Sequence, residues 1–290
     1  YEVIIVDQSD NTINNSKLLI VLKKFNSFNL IKSNEKGRSR AMNEGLRLAK
    51  TSYIVFLDDD CIPDKEWLFY IYKTFKNYPF ISSVTGKVVP YSPKKHQGLF
   101  CPSTFENENP KPHVINKPGK HWKEIGLGNN MAFRKEIFDE LGGFKEWLGV
   151  GSIGRSAEDA EILLRMLISG KRIFYNPKSV IYHNSWNSLH QSNIKNLSYI
   201  YGEIACYLYI ALKYKCLAGS VLKDNLREVF YIEPKKILFY FFRLKKHTFY
   251  LLFWYIANIF ARLLGSLVAV CFFITEKFFN YPKNRLNLYL

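Results

Sequence analysis

Three consecutive aspartates, Asp58, Asp59 and Asp60, follow the apolar run Tyr53–Leu57. Such a run predicts a buried strand, so the three carboxylates stand where that strand ends. Neighbouring carboxylates repel one another, and a bound divalent cation relieves that cost. Hard oxygen ligands suit Mg²⁺ or Mn²⁺ bridging the oxygens of a diphosphate. The alternative interpretation is a polar surface turn or a helix cap.

Another aspartate, Asp7, closes the apolar run Val3–Val6 in the same way. In open α/β sheets, ligands bind beyond the carboxyl ends of the strands. Acidic residues at two strand ends in one half of the chain therefore predict that this edge of the sheet carries the site.

Two further acidic residues, Glu158 and Asp159, open the amphipathic helical pattern Glu158–Ser169. Acidic side chains in a first helical turn interact favourably with the helix dipole, which is a structural reason for their presence. His183 directly follows the short apolar run Val180–Tyr182. A lone histidine at a strand end is commonly structural.

The elements around these residues predict an α/β fold with a doubly wound, mostly parallel sheet flanked by helices. Continuous apolar runs indicate strands buried on both faces. In the first part of the chain the expected order is strand Val3–Val6, helix Lys17–Phe25, strand Asn29–Ile31, a helix through Ala41–Ala49 and strand Tyr53–Leu57.

The middle of the chain continues the pattern with a long interruption. Residues Tyr91–Lys120 carry five prolines, with Pro90 just before them, and little periodicity, which predicts a long loop of the kind that often has a function. The expected regular elements are the helices Trp67–Phe75 and Glu158–Ser169 and the strands Ile81–Val89, Ile173–Tyr175 and Val180–Tyr182.

The last third is helical in pattern, apolar and basic. From Lys195 to Leu290 there are 14 Lys and Arg against 5 Asp and Glu, so this third carries +9 of the net charge of +16. The run Thr248–Thr275 has Arg262 as its only charge and exceeds the roughly 20 residues that a membrane span needs. A central arginine costs about 2.5–3.5 kcal/mol on insertion scales, so a spanning helix and interfacial helices both stay open.

Composition excludes several classes of protein. The 290 residues are 48% hydrophobic and 23% charged, which is ordinary globular usage and excludes wholesale disorder. Five cysteines without a CxxC pair fit neither a disulfide framework nor a zinc ribbon. The basic residues cluster beside apolar segments and form no recognisable nucleic-acid module, so a membrane surface is the expected partner and nucleic acid is not.

The chain resembles family 2 glycosyltransferases of the GT-A fold over roughly Tyr1 to His183. In that family a segment of the form NxGxxxARNxGL precedes FLDDD, whose acidic part is called the DXD motif. The matching segments here are NEKGRSRAMNEGLRLAKTSYIVFLDDDCIPDKEWL, GNNMAFRKEIFDELGGF and SAEDAEILLRMLISGKRIFYNPKSVIYH.

This resemblance implies a nucleotide-sugar donor held at the acidic edge. Asp7 would lie by the nucleobase, and Asp58 and Asp59 would contact the donor, the latter at the ribose or diphosphate. Asp60 would coordinate Mn²⁺ or Mg²⁺, with His183 as a further metal ligand.

The resemblance also places the remaining donor residues. Arg40 would lie near the nucleotide, although an exposed residue of a first helical turn is the alternative. The segment Gly128, Asn129 and Asn130 would line the donor sugar, since glycine allows close backbone approach; ordinary turn chemistry is the alternative.

The acidic pair at 158–159 resembles the family's ED motif, whose Asp is the catalytic base. Asp159 would therefore deprotonate the acceptor hydroxyl, and Glu158 would support it. The implied reaction is a metal-dependent, inverting transfer of a sugar from a nucleotide-diphosphate donor to a glycan or lipid-linked acceptor in envelope polysaccharide synthesis.

Two departures from the family pattern stand out. Lys145 and Glu146 follow Gly143-Phe144 where the family reads GGFDE, and a first strand is expected upstream of Tyr1. The sequence is accordingly interpreted as an N-terminally truncated GT-A domain over residues 1–183, followed by a helical, membrane-associated region over 184–290. The expected location is the cytoplasmic face of the cell membrane.

Two other functions stay open at this point. A nucleotidyltransferase on a related sheet would also use acidic metal ligands, but the ED segment disfavours it. A membrane-bound subunit that binds nucleotide or carbohydrate without catalysis is the second alternative, disfavoured by the joint presence of Asp60, Asp159 and His183.

Overall fold

The computed structural model describes residues 1–9, 22, 28–118, 125–215, 223, 226–236 and 248–279. The predicted crossover helix Lys17–Phe25 lies, except for Leu22, outside these residues. The expected α/β fold is confirmed, with helices packed on a central sheet and an apolar helix near the C-terminus.

The first two strands form a small parallel sheet. Strand β1 (Ile4–Asp7) pairs with β2 (Asn29–Lys32), so that Asp7 stands opposite Lys32. Helix α1 (Arg38–Leu48) packs closely on β1, since a Cβ at Gly45 would lie 3.5 Å from Val6 Cγ2. This packing fixes α1 against β1.

The main sheet has six strands in the described part of the chain. The strands are β3 (Tyr53–Phe56), β4 (Cys61–Pro63), β5 (Ser83–Pro90), β6 (His113–Ile115), β7 (Met131–Arg134) and β8 (Ile173–His183). Their order in the sheet is β3-β7-β5-β8-β4, with β6 pairing on β8. The pair β5–β8 is parallel, while β3–β7, β5–β7, β4–β8 and β6–β8 are antiparallel, so this sheet is mixed.

Strand β8 is one continuous element, whereas two short strands were predicted. Its pairing with β5 passes from Gly86↔Asn176 to Lys87↔Val180, so the intervening residues bulge out of register. A Cβ at Gly86 would collide with the carbonyl oxygen of Ser179, which explains why glycine stands opposite the bulge. Pro177 and Lys178 lie in this bulge, and their turn-like composition accounts for the interruption in the predicted pattern.

Apolar side chains from both sides of the sheet form the core. Helix α2 (Trp67–Asn77) buries Trp67, Ile71 and Phe75 against one face. Helix α4 (Glu158–Ile168) lies in the other core cluster together with the short α3 (Glu136–Leu141). Most residues of α4 are buried, so the position of Glu158 and Asp159 at its start is fixed by the packing that follows them.

Two long helices follow the sheet among the residues that the structure describes. Helix α5 (Leu189–Tyr214) begins at a capping box, in which the Ser188 side chain accepts from Gln191 N and the Gln191 side chain accepts from Ser188 N. Helix α6 (Thr248–Phe279) packs along α5, and α5 packs on α4. Within α6, Tyr250–Lys277 is long and apolar enough to cross a membrane by length and composition.

The predicted loop Tyr91–Lys120 contains more pairing than expected over its described residues. Besides β6, it forms a short 3₁₀ turn at Pro93–Lys95 and single bridges from Phe105 to Val88 and from Phe100 to Asn187. These bridges hold the loop over the end of β8, next to His183.

Candidate active site

The structure gathers acidic residues and a histidine at one edge of the fold. Residues 58–60 follow β3, His183 ends β8, and Glu158 and Asp159 begin α4. Gln8, after β1, exchanges hydrogen bonds with the backbone of Gly37, donating to O (3.1 Å) and accepting from N (3.2 Å). That exchange joins the end of β1 to the start of α1 and completes the edge.

Asp60 and His183 form the first part of the site. His183 Nε2 lies 3.2 Å from Asp60 Oδ2, and Nδ1 lies 2.7 Å from the carbonyl oxygen of Pro102. A carbonyl accepts only, so Nδ1 carries a proton in this arrangement and a neutral ring has its Nε2 lone pair facing Asp60. The pair therefore has the ring orientation that a metal-binding histidine needs.

Electrostatics favour the charged forms of both groups. The hydrogen bond with His183 lowers the pKa of Asp60, in spite of partial burial. Burial opposes protonation of His183, but the hydrogen bond and charge of Asp60 outweigh it, and the pKa of His183 is raised. Asp60 is thus ionised at neutral pH and available to a cation.

The donor atoms here fit a hard divalent ion. Ligand atoms of Asp60, Cys61 and His183 lie within 4.8 Å of one another. Burial, together with the charges of Asp58 and Asp60, raises the pKa of the Cys61 thiol to about 12. A protonated thiol is a poor ligand, so a carboxylate oxygen and an imidazole nitrogen remain, a set that suits Mn²⁺ or Mg²⁺ with further positions for oxygens from a ligand.

Asp159 forms the second part of the site. Its Oδ2 accepts from Gly128 N at 2.6 Å and its Oδ1 accepts from Ala160 N at 2.8 Å. A Cβ at Gly128 would lie 2.8 Å from Asp159 Cβ and Oδ2, so this approach requires glycine. Two hydrogen bonds hold the carboxylate, and lone pairs remain with which it can take a proton.

Arg38 connects the two acidic segments, and sequence reasoning missed it. Its Nε and Nη2 donate to Asp58 Oδ1 at 3.1 and 2.7 Å, and Nη2 also donates to Gly128 O at 3.1 Å. Nη1 donates to Glu158 Oε1. Burial disfavours the charge of Arg38, but Asp58 and Glu158 outweigh it and raise its pKa. The signal in the sequence was its place directly after Gly37, at the first residue of a helix that faces the sheet edge.

Arg40 occupies a different position from Arg38. Successive residues of a helix turn by about 100°, so side chains two apart point to opposite sides. Arg40 is exposed, and its Nε lies 3.7 Å from Glu35 and 3.5 Å from Glu146. The contact between Arg40 and the nucleotide stays a prediction.

The two asparagines of the predicted sugar-lining segment differ. Asn129 is buried beside Cys61, its Nδ2 donates to Ser103 O at 3.2 Å, and its Oδ1 has no partner among the described residues. A buried acceptor without a donor is costly, so a ligand or water donor is expected there.

The Asn130 side chain is occupied by the fold. Its Oδ1 accepts from Trp67 Nε1 (2.9 Å) and Ser179 Oγ (3.3 Å), and its Nδ2 donates to the carbonyls of Lys87 (2.9 Å) and Ser179 (2.8 Å). All four hydrogen-bonding positions of the amide are filled, so this side chain joins α2, β5 and β8.

Asp7 and Asp59 lie at the edge of the cluster. Asp7 accepts from Ser9 N (2.8 Å) and from Lys32 Nζ (3.2 Å), and these interactions, the Ser9 bond foremost, lower its pKa. Asp59 is exposed in the turn between β3 and β4.

Tyr199 of α5 is a further residue that sequence reasoning missed. Its hydroxyl lies 3.2 Å from Ser103 Oγ, and burial, with the charges of Asp159 and Asp60 as lesser causes, raises its pKa. Tyr199 therefore links helix α5 to the loop that contains Ser103, whose carbonyl oxygen accepts from Asn129. Its helical context gave no signal of this contact.

The comparisons with known protein families and known enzymes agree with one another. Residues 1–142 match the sequence model named Glycosyl transferase family 2. Poly-beta-1,6-N-acetyl-D-glucosamine synthase of Staphylococcus aureus (strain COL) is 34% identical over 88 residues, which are 29% of this chain and 21% of that protein. The same enzyme of Staphylococcus epidermidis is 33% identical over 88 residues. The aligned part thus spans about a fifth of the curated relatives.

A solved structure supports the fold over a larger range. Mannosyltransferase PcManGT from Pyrobaculum calidifontis, determined with GDP-Man and Mn²⁺, superposes with a TM-score of 0.54. It shares 18% sequence identity, and the alignment covers 92% of this chain and 77% of that one. This likeness extends beyond residue 142 and concerns the fold.

Proposed function

Because the chain belongs to glycosyl transferase family 2 through residues 1–142, we propose that it is a metal-dependent, inverting glycosyltransferase. It moves a sugar from a nucleotide-diphosphate donor to a hydroxyl of a glycan or lipid-linked acceptor. The observation that carries the proposal is that Asp60 and His183 share one edge of the fold with the Arg38–Asp58–Glu158 cluster and Asp159.

Asp60 and His183 are the residues that would hold the divalent ion. Such an ion supplies charge that stabilises the departing nucleoside diphosphate. The hydrogen bond from His183 to the carbonyl of Pro102 fixes the ring, so that Nε2 is directed at the side of Asp60 where the ion would bind.

Asp159 acts as the base. An acceptor hydroxyl is a weak nucleophile, and a carboxylate within hydrogen-bond reach removes its proton as the new bond forms. The two backbone donors on Asp159 orient it without occupying all of its lone pairs. The attack proceeds from the face opposite the leaving diphosphate, which inverts the anomeric carbon.

Binding of the donor uses the remaining polar groups of the edge. The buried Oδ1 of Asn129 needs a donor that the described residues do not provide, and a sugar hydroxyl has the right chemistry. Asp7 would contact the nucleobase, and Asp59 would contact the ribose or diphosphate. Gly128 supports the reaction by its close approach to Asp159, and the Asn130 side chain supports it by packing.

Synthesis of an envelope polysaccharide is the proposed setting. It is supported by the similarity to two staphylococcal polysaccharide synthases and by the apolar helix α6, whose length and composition favour membrane association. The cytoplasmic face of the cell membrane is the proposed location.

Thermal stabilisation by nucleoside diphosphates tests this proposal. UDP, dTDP and GDP are added in turn, each with and without Mn²⁺, to the wild-type chain and to the Asp60→Ala variant. One nucleotide should raise the melting temperature only with metal, and Asp60→Ala should abolish that increase. Asp139→Ala, which changes an exposed aspartate of α3, is the matched control and should behave as wild type.

Other outcomes would identify the alternatives. Stabilisation by triphosphates alone would favour a nucleotidyltransferase. Stabilisation that does not depend on metal, and persists in Asp60→Ala, would favour a binding subunit and would overturn the assigned metal site.

A further inference from the structure

Helix α6 is apolar on two sides, of which one is packed against the protein. The packed side carries Trp254, Ala261, Gly265 and Ala269, all turned toward α5. A Cβ at Gly265 would collide with the carbonyl oxygen of Tyr201, so the two helices approach as closely as backbones allow. The small residues on this side fit that close approach.

The other side of α6 forms an exposed apolar row. Its members recur three or four residues apart, the spacing of one helical face, over about 31 Å at 1.5 Å per residue. Arg262, the one charged residue within the run, is only 17% exposed and lies 3.9 Å from Glu228. The row includes Phe253, Ile256, Phe260, Leu263, Leu267 and Ile274, each more than 40% exposed.

Both ends of α6 are tied to the rest of the protein. Near its start, Tyr250 Oη accepts from Asn193 Nδ2 of α5 at 3.0 Å. Near its end, Glu276 accepts from Lys145, Lys213 and the Tyr209 hydroxyl, each at 2.6 Å. The helix therefore lies against α5 along its length, and α5 lies against α4.

The loop before the ED pair reaches the same side of the molecule. Arg155 lines a groove between α5 and α6, of about 420 Å³, whose other walls include Leu197, Tyr201, Phe260 and Leu264. Its guanidinium lies 4.8 Å from the centre of the Tyr201 ring. An exposed cation thus sits beside the middle of the apolar row.

This arrangement decides between the two membrane placements of α6. A helix perpendicular to the bilayer would carry α5, Arg155 and the loop that leads into α4 into the hydrocarbon, because all of them lie beside its middle. Charged groups there cost several kcal/mol each, and irregular backbone facing lipid is not tolerated. A helix lying in the interface leaves these groups at headgroup level.

We propose that α6 is an in-plane membrane helix, whose exposed row enters the headgroup–acyl boundary of an anionic bilayer with Arg155 facing lipid phosphate. The surplus of basic residues after Lys195 agrees with an anionic surface. The inference deepens the membrane location proposed above and does not depend on the transfer chemistry.

Depth measurements by electron paramagnetic resonance test the orientation. Spin labels are placed one at a time by Phe253→Cys, Phe260→Cys, Leu267→Cys and Ile274→Cys in a full-length chain with the changes Cys101→Ser, Cys216→Ser and Cys271→Ser. The protein is bound to vesicles of phosphatidylcholine and phosphatidylglycerol. A label at Glu44→Cys in α1 is the control for a position in water.

In-plane placement predicts similar, shallow depths at all four positions, about 5–10 Å below the headgroups. A span predicts deep values at 260 and 267 and shallow values at 253 and 274, which would overturn the orientation alone. Depths equal to that of the α1 control at all four positions would overturn the membrane location as well, while leaving the nucleotide experiment unaffected.

Vesicle flotation tests the same face without labels. The double change Phe260→Glu with Leu267→Glu should reduce the vesicle-bound fraction at least tenfold. Leu48→Glu, on an exposed apolar position of α1, should leave it unchanged. Arg155→Glu should weaken binding to phosphatidylglycerol vesicles and not to pure phosphatidylcholine. Undiminished flotation of the double variant would contradict the proposed face.

Discussion

At the residue scale, Arg38 holds together groups that come from three parts of the chain. Asp58 follows β3, Glu158 begins α4, and Gly128 precedes β7, and one guanidinium binds all three. Its planar arrangement of N–H donors allows this, and a lysine could not reproduce it. Gly128 also donates to Asp159, so Arg38 is a positioning residue for the proposed catalytic base.

Removal of Arg38 should therefore destabilise the protein strongly. Arg38→Met leaves two carboxylates without their partner, and the free energy of unfolding should fall by about 3 kcal/mol. Urea denaturation of the variant in mild detergent measures this. Arg40→Met, at the exposed arginine of the same turn, should change stability by less than about 0.5 kcal/mol. Equal losses in the two variants would contradict the assigned role of Arg38.

Asp159 gives a prediction about catalysis instead of stability. Asp159→Asn retains the shape of the side chain but not its basicity, so kcat should fall about 10²–10⁴-fold. Donor binding, measured by calorimetry with the nucleoside diphosphate and Mn²⁺, should stay within twofold of wild type. Asp139→Asn serves as the exposed control. Near-normal turnover in Asp159→Asn would show that another group is the base.

Among the elements, α6 has its most highly charged attachment in its last turn. Glu276 accepts from two lysines and a tyrosine, and Phe272, one turn earlier, stacks on Trp147 with ring centres 4.4 Å apart. Burial disfavours the Glu276 carboxylate, but the hydrogen bond and charge of Lys145, with those of Lys213 and Tyr209, outweigh it and lower its pKa to about 2. The charged cluster therefore anchors the C-terminal end of the helix.

This pKa makes the attachment depend on pH. A lowered carboxyl pKa stabilises the folded protein fully above the unfolded value near 4.5, and the stabilisation is lost as pH falls toward 2. Wild type should exceed Glu276→Gln in unfolding free energy at pH 6 by no more than about 3 kcal/mol. Thermal unfolding measured between pH 6 and pH 3 should show that the stability difference between wild type and Glu276→Gln becomes smaller as the pH falls. A constant difference over this range would contradict the cluster's ionisation.

At the scale of the whole molecule, the C-terminal helices complete the core of the catalytic part. Cys206, Tyr209 and Ile210 of α5 are buried in one cluster with Leu148 and Ala160, from before and within α4. The predicted division into two regions at residue 183 stays a prediction. Apolar contacts cross this boundary. The two regions share a hydrophobic surface that neither would cover alone.

Truncation should reveal that dependence. A chain ending at His183 exposes Leu148 and the outer side of α4, so it should aggregate on expression. A chain ending at Tyr214 retains α5 and should be recovered in soluble form at a severalfold higher yield. The soluble fraction after centrifugation measures this. Equal solubility of the two chains would instead support an independent domain over 1–183.

Local signals in the sequence were enough to predict several of the elements and where the acidic residues stand along them. Apolar periodicity and chain breakers are local signals, so the strand before Asp58–Asp60, the helix after Glu158–Asp159 and the long apolar helix were all predictable. The position of His183 at a strand end followed from the same local reading.

Which of these residues meet depends on contacts between distant parts of the chain. Arg38 and Glu158 are 120 positions apart and Lys145 and Glu276 are 131 apart, so no local pattern contains these contacts. The mixed pairing of the sheet, the filled hydrogen bonds of Asn130 and the inward side of α6 depend on such distant neighbours. Periodicity fixes the face that a residue occupies, while packing between distant segments selects its partner.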